Sequence, residues 1–117
     1  MSKNSISTDQ ELRKGESLVS VNGNFKAILQ EDGNFVVYKW SPIWATATNG
    51  KNPARLLLQG DSNLVLYTQD DKPVWSSGTV KPDNRTMRLT LTNDGRLVVT
   101  RNGAQIWLWG AGGSSSA

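Results

Sequence analysis

One nine-residue phrase occurs twice in this chain with no mismatch at its fixed positions, and it constrains the fold more than any other feature. Gln30-Glu31-Asp32-Gly33-Asn34-Phe35-Val36-Val37-Tyr38 and Gln59-Gly60-Asp61-Ser62-Asn63-Leu64-Val65-Leu66-Tyr67 both read Q-x-D-x-N-x-V-x-Y. A third, altered copy runs from Thr92 to Thr100: it keeps Asp94 and Val98 and has Thr92, Arg96 and Thr100 in place of Gln, Asn and Tyr. Each copy is followed by a similar phrase, Pro42-Ile43-Trp44, Pro73-Val74-Trp75 and Gln105-Ile106-Trp107. Motifs starting at 30, 59 and 92 mean one supersecondary unit used three times. The units span about 25–48, 54–79 and 87–110 of a single domain over 1–110, and the Gly/Ser-rich 111–117 reads as a flexible tail.

Each unit reads as a β-hairpin. Lys26–Gln30, Arg55–Gln59 and Arg88–Thr92 enter, Asp32-Gly33, Asp61-Ser62 and Asp94-Gly95 turn, and Phe35–Tyr38, Leu64–Tyr67 and Leu97–Thr100 return. Alternation puts Ala27, Leu29, Phe35 and Val37 on one face, with Leu56, Leu58, Leu64, Leu66 and Leu89, Leu91, Leu97, Val99 as their equivalents. Those faces are apolar and must meet. With Trp44, Trp75 and Trp107 between them, three sheets make a triangular prism. Upstream, residues 1–11 read as a loose polar start, and Leu12, Gly15, Leu18, Val19 and Val21 as a first strand pair around a turn. Trp40 and Trp109, which lack equivalents in every unit, are candidate interface residues. Ile106–Trp109 is a strongly β-prone strand that invites pairing with another chain if it lies at an edge.

Composition narrows the chemistry. The 117 residues include no Cys and no His, so a Cys/His zinc site and a Ser-His or Cys-His nucleophile cannot be built. Asp32 and Asp61 belong to different repeats and are not expected to flank one bond as a glycosidase pair does. We expect no catalytic residue, no metal and no cofactor. A net charge of +3 without a Lys/Arg block gives no nucleic-acid footprint, and no apolar run is long enough to insert into a membrane. Lys26, Arg55 and Arg88, at equivalent positions, read as solvated strand ends.

The outward face carries the candidate site. Gln30 and Asn34 offer amide donors and acceptors, Asp32 accepts, Tyr38 offers a hydroxyl and Val36 an aliphatic patch. Gln59, Asp61, Asn63, Val65 and Tyr67 repeat the set. Hydrogen-bonding groups around one aliphatic contact match a sugar ring. An Asp acceptor beside an Asn donor saturates one hydroxyl, and a sugar whose hydroxyl points elsewhere leaves both unpaired, at about 1–3 kcal/mol each. In the third set, Thr92, Asp94, Arg96, Val98 and Thr100, the threonine is too short to replace a tyrosine hydroxyl and Arg96 has no acceptor, so weak or no binding is expected.

On these residues the chain resembles the bulb-type, monocot mannose-binding lectin family and its fish skin-mucus (lily-type) relatives, over about Leu12 to Trp109. The resemblance implies an all-β fold, a β-prism II of three four-stranded antiparallel sheets with pseudo-threefold symmetry. It implies α-D-mannose binding without metal. Asp32 and Asn34 would contact the axial 2-hydroxyl, Gln30 the 3-hydroxyl and Tyr38 the 4-hydroxyl, with Val36 against the ring, and likewise in the second site. It implies multivalent recognition of mannose-rich glycans and glycoproteins in defence or agglutination, and a homodimer formed by C-terminal strand exchange. The chain departs from the plant pattern in having no disulfide pair and no apolar leader in residues 1–20. The expected location is extracellular or a mucus surface, reached without a classical signal peptide, with the cytoplasm as the alternative. The Asn84-Arg85-Thr86 sequon is then expected to be unused. The competing functional reading is a protein-interaction or structural prism in which sugar binding is vestigial.

Overall fold

A computed structural model describes residues 3–39, 42–81 and 85–110, with the side chains of 109 and 110 set aside. Twelve strands make up its regular structure: β1 (Ser5–Ser7), β2 (Glu11–Arg13), β3 (Ser17–Val19), β4 (Lys26–Leu29), β5 (Phe35–Tyr38), β6 (Pro42–Ala45), β7 (Pro53–Leu58), β8 (Leu64–Thr68), β9 (Pro73–Ser76), β10 (Met87–Leu91), β11 (Arg96–Arg101) and β12 (Ala104–Gly110). They form three four-stranded antiparallel sheets in the orders β3-β4-β5-β6, β2-β7-β8-β9 and β1-β10-β11-β12. Each sheet therefore holds one repeat (its hairpin and its tryptophan strand) plus one short strand from the chain's start.

All twelve residues assigned to the apolar face are buried, none more than 1% exposed. Trp44, Trp75 and Trp107 meet edge-to-face at the centre, with ring centroids 5.9–6.3 Å apart. The phrase before each tryptophan has a structural reason. The pairing of each outgoing strand with its tryptophan strand shifts register at the same place: between Val37 and Tyr38, Leu66 and Tyr67, and Val99 and Thr100. The extra residue is Ile43, Val74 or Ile106. A β-bulge suspends alternation, so this residue and the tryptophan after it can both pack against the core, and in all three sheets they do.

The N-terminal segment differs from expectation. The strands at 11–13 and 17–19 do not pair: Leu12 faces Leu56 in one sheet and Leu18 faces Ala27 in another. Nor is the start loose, because β1 pairs with β10 and Ile6 is fully buried. The sequence signal is a six-residue spacing of Ile6, Leu12 and Leu18, each 0% exposed. Three residues per strand and a tight turn rotate the chain from one sheet to the next. Three-residue segments are too short to alternate visibly, which hides them from a pattern search.

The repeats also lock into one another around the ring. The motif turns have positive φ at their middle residue, 88° at Gly33, 80° at Ser62 and 83° at Gly95. Gly33 lies so close to Pro53 at the head of β7 that a Cβ would come within 2.8 Å, and Gly95 lies so close to Phe25, just before β4, that a Cβ would come within 2.5 Å. Ser62 is tolerated where its neighbour is Met87 at the head of β10, whose sulfur its hydroxyl meets at 3.5 Å. First turn rests on second repeat, second on third, and third on first. Trp40 and Asn84 lie outside the described residues, as does the tail.

Candidate functional site

The first set stands on the sheet β3-β4-β5-β6 and the second on β2-β7-β8-β9, so Asp32 and Asp61 occupy different sheets. Within each set the structure brings the residues together. Gln30 Nε2 donates to the Tyr38 hydroxyl, and the Tyr67 hydroxyl donates to Gln59 Oε1. Gln59 Nε2 also donates to Asp61, at 3.1 and 3.3 Å from its two oxygens. Val36 and Val65 are each 3% exposed yet stand apart from the central core, as floors beneath the polar groups.

Asp and Asn also shape the turn. The Asn34 N–H donates to Asp32 Oδ1 at 2.9 Å, and the Asn63 N–H to Asp61 Oδ1 at 3.1 Å. Asn34 Oδ1 then accepts from the Thr48 N–H at 3.2 Å, and Asn63 Oδ1 from the Thr79 N–H at 3.2 Å. With each carbonyl oxygen tied down, Asn34 and Asn63 keep the NH2 side of the amide, which takes no partner among the described residues.

The residues holding those amides were not singled out from sequence. Thr46 and Thr48 join at 2.7 Å, Thr46 Oγ1 accepts from the Phe35 N–H at 3.2 Å, and Thr48 Oγ1 donates to the Gly33 carbonyl at 2.7 Å. Ser77 and Thr79 repeat this bracket on Leu64 and Ser62, at 2.7, 3.1 and 2.6 Å. The readable signal is W-x-[ST]-x-T, present after Trp44 and Trp75; after Trp107 the same two places hold Trp109 and Ala111. Arg55 also differs from the expected solvated strand end. Its guanidinium lies 5.3 Å from the Tyr67 ring centre and pairs with Glu11 at 3.3 Å and with Asp71. Together with Gln59, Asp61 and Tyr67 it lines a recess of about 490 Å3. Asp71 and then Glu11 raise the arginine's pKa, and Arg13, then Arg55, hold the Glu11 carboxyl below its ordinary range against the opposing pull of burial.

The third set is closed on itself. Thr92 Oγ1 donates to Asp94 Oδ1 at 2.5 Å, and Arg96 Nε lies 3.8 Å from Asp94 Oδ2. Thr92 first, the residue's own backbone amide next, and Arg96 after these hold the Asp94 carboxyl below the usual carboxylate range. Its Oδ1 is engaged by Thr92, while Oδ2 faces Arg96 beyond hydrogen-bond distance.

Shallow outward sets of fixed hydrogen-bond donors and acceptors, carried on a three-sided β-prism, define a sugar-binding protein, a lectin. The comparisons agree. The chain is 48% identical over 104 residues to the B-type lectin plumieribetin of Scorpaena plumieri, covering 89% of this chain and 92% of that one. Its fold matches the mannose-specific agglutinin of snowdrop (Galanthus nivalis) bulbs in complex with methyl α-D-mannoside, with a TM-score of 0.79 and 35% identity over 98% of this chain and 100% of that one. It also matches a monomeric monocot mannose-binding lectin of Gastrodia elata, with a TM-score of 0.83 and 31% identity over 91% and 96%. No protein-family model matches. The chain belongs to the bulb-type (B-type) mannose-binding lectin family. Lectins bind sugars without transforming them, and the chain is not an enzyme.

Proposed function

We propose that this chain binds α-D-mannose at two sites, Gln30-Asp32-Asn34-Val36-Tyr38 and Gln59-Asp61-Asn63-Val65-Tyr67, and through them recognises mannose-rich glycans multivalently. The observation that carries the reading is the paired arrangement of Asp and Asn. Each bracketed asparagine presents an NH2 in the same turn as a carboxylate, a donor and an acceptor for one hydroxyl. The snowdrop protein's methyl α-D-mannoside supplies the sugar class. The third set takes no part, since Arg96 stands where the two sites have the asparagine amide and Thr100 where they have the tyrosine hydroxyl. Four or five net hydrogen bonds of about 0.5–1.5 kcal/mol each make a single site weak, near the millimolar range of about −4 kcal/mol. Engaging several sites on one branched glycan adds about 10²–10⁴ in strength. Display of such glycans outside cells supports action there, in agglutination or defence.

The reading extends to a homodimer. β12 is the longest C-terminal element and sits at a sheet edge, held to β11 by pairs such as Val98↔Leu108 and Val99↔Trp107. Two copies exchanging β12 would make the same pairs between chains. Light scattering on the eluted protein should give twice the 12.8 kDa chain mass, and the single mass would end the dimer reading. Calorimetric titration with methyl α-D-mannoside, with the galactoside as control, tests the sites. We expect about two mannosides per chain and none of the galactoside; no binding by folded protein would favour the scaffold reading.

A further inference from the structure

One recess lies apart from both mannose sets. It has a volume of about 680 Å3 and lies among the β2–β3 turn, the loop entering β7 and the β8–β9 turn. Arg13, Lys14, Lys51 and Lys72 line it, against the single acid Asp70. The whole chain has 13 basic and 10 acidic residues; taking away these four and this one leaves nine of each sign. Basic residues that are scattered along the sequence are therefore brought to one place by the fold.

The charges there are available. Arg13 shares Glu11 with Arg55, whose other partner is Asp71. That network neutralises the arginines, and Lys14, Lys51 and Lys72 make no ion pair among the described residues. Three ammonium groups around a concave space attract a compact anion, and focusing by the walls strengthens the pull over that of a flat surface. Asn52, Thr68 and Gln69 add neutral hydrogen-bonding groups of the kind a sugar needs. The recess is polar: the exposed large apolar side chains among the described residues, Val21 and Val80, are not among its walls. A bilayer surface would call for apolar side chains at the rim. Arg13 and Gln69 also line a smaller recess that reaches Arg55, a wall of the second sugar set, so one extended chain could lie across both.

We propose that this cleft is a second, separate binding site for a sulfate or phosphate ester carried on a glycan. The test does not depend on the mannose reading. Titrate the protein with dextran sulfate, dextran phosphate and uncharged dextran at about 50 and 200 mM salt, since polyanion binding by lysines weakens as salt rises. Binding of a charged dextran but not the plain one is expected, and the stronger of the two identifies the ester. K51Q/K72Q should lower that affinity about tenfold or more and leave methyl α-D-mannoside binding as in the wild type. K3Q/K81Q, with the same loss of charge elsewhere, should change it less than about twofold. Equal losses in the two variants would mean that only overall charge matters and would overturn the site. So would equal binding of all three dextrans, or lysine-dependent binding confined to phosphatidylserine vesicles.

Discussion

The first and third hairpins are built alike on the inside and differ on the outside. Ala27, Leu29, Phe35 and Val37 and their counterparts Leu89, Leu91, Leu97 and Val99 are all buried, and both hairpins keep the positive-φ turn and the bulge just before the tryptophan. On the outward face Asn34 gives way to Arg96, Tyr38 to Thr100, and the bracketing Thr46 and Thr48 to Trp109 and Ala111. These changes go together. An asparagine without its bracket would not hold its amide, and an aspartate beside a free arginine closes into an ion pair. Because alternate side chains point to opposite faces, a strand can lose one set of tasks and keep the other. The second hairpin, with Arg55 over Tyr67, shows that even two intact motifs have different walls.

Five substitutions would break or sharpen that contrast. The largest effect should come from the inside of the third hairpin. Leu89→Ala should cost about 2–5 kcal/mol in denaturant unfolding, and a cost near zero would mean the third repeat is not part of the common core. Gly95→Ala drives a Cβ toward the Phe25 ring at positive φ and should cost about 1–3 kcal/mol; unchanged stability would undo the interlocking of turns. Third, Asn34→Ala should remove about 1–3 kcal/mol of binding at its site, so that calorimetry counts one mannoside per chain and not two, while Arg96→Ala leaves the count at two. A fall with Arg96→Ala would show that the third set does bind. The smallest effect belongs to Glu11→Gln. Glu11's carboxyl is held below its ordinary range, so its contribution is present above that range and lost as pH falls through the lowered value. As part of a surface network it contributes at most about 1 kcal/mol. The variant should lose that much at neutral pH and match the wild type in acid, as measured by urea midpoints across pH.

Much of this was legible from the chain alone because its causes are local. A hairpin with seven residues between Gln30 and Tyr38 sets turn, register and facing within one short segment. Threefold repetition then forces three apolar faces together, which accounts for the prism and its central tryptophans. The first twenty residues were misread because a three-residue strand is specified by the partner it meets, and β1 meets β10 from the opposite end of the chain.

The sequence by itself determined the repeat, the hairpins, the inward and outward faces and the two polar sets, since spacing along one strand suffices for each. The tertiary structure alone decided which loop hydroxyls hold the asparagine amides, which turn rests on which repeat, that Arg55 reaches Glu11 and Asp71, and that scattered cations share one cleft. Those pairings join residues from about a dozen to several dozen positions apart. Only closure of the prism brings them within hydrogen-bond or Coulombic range.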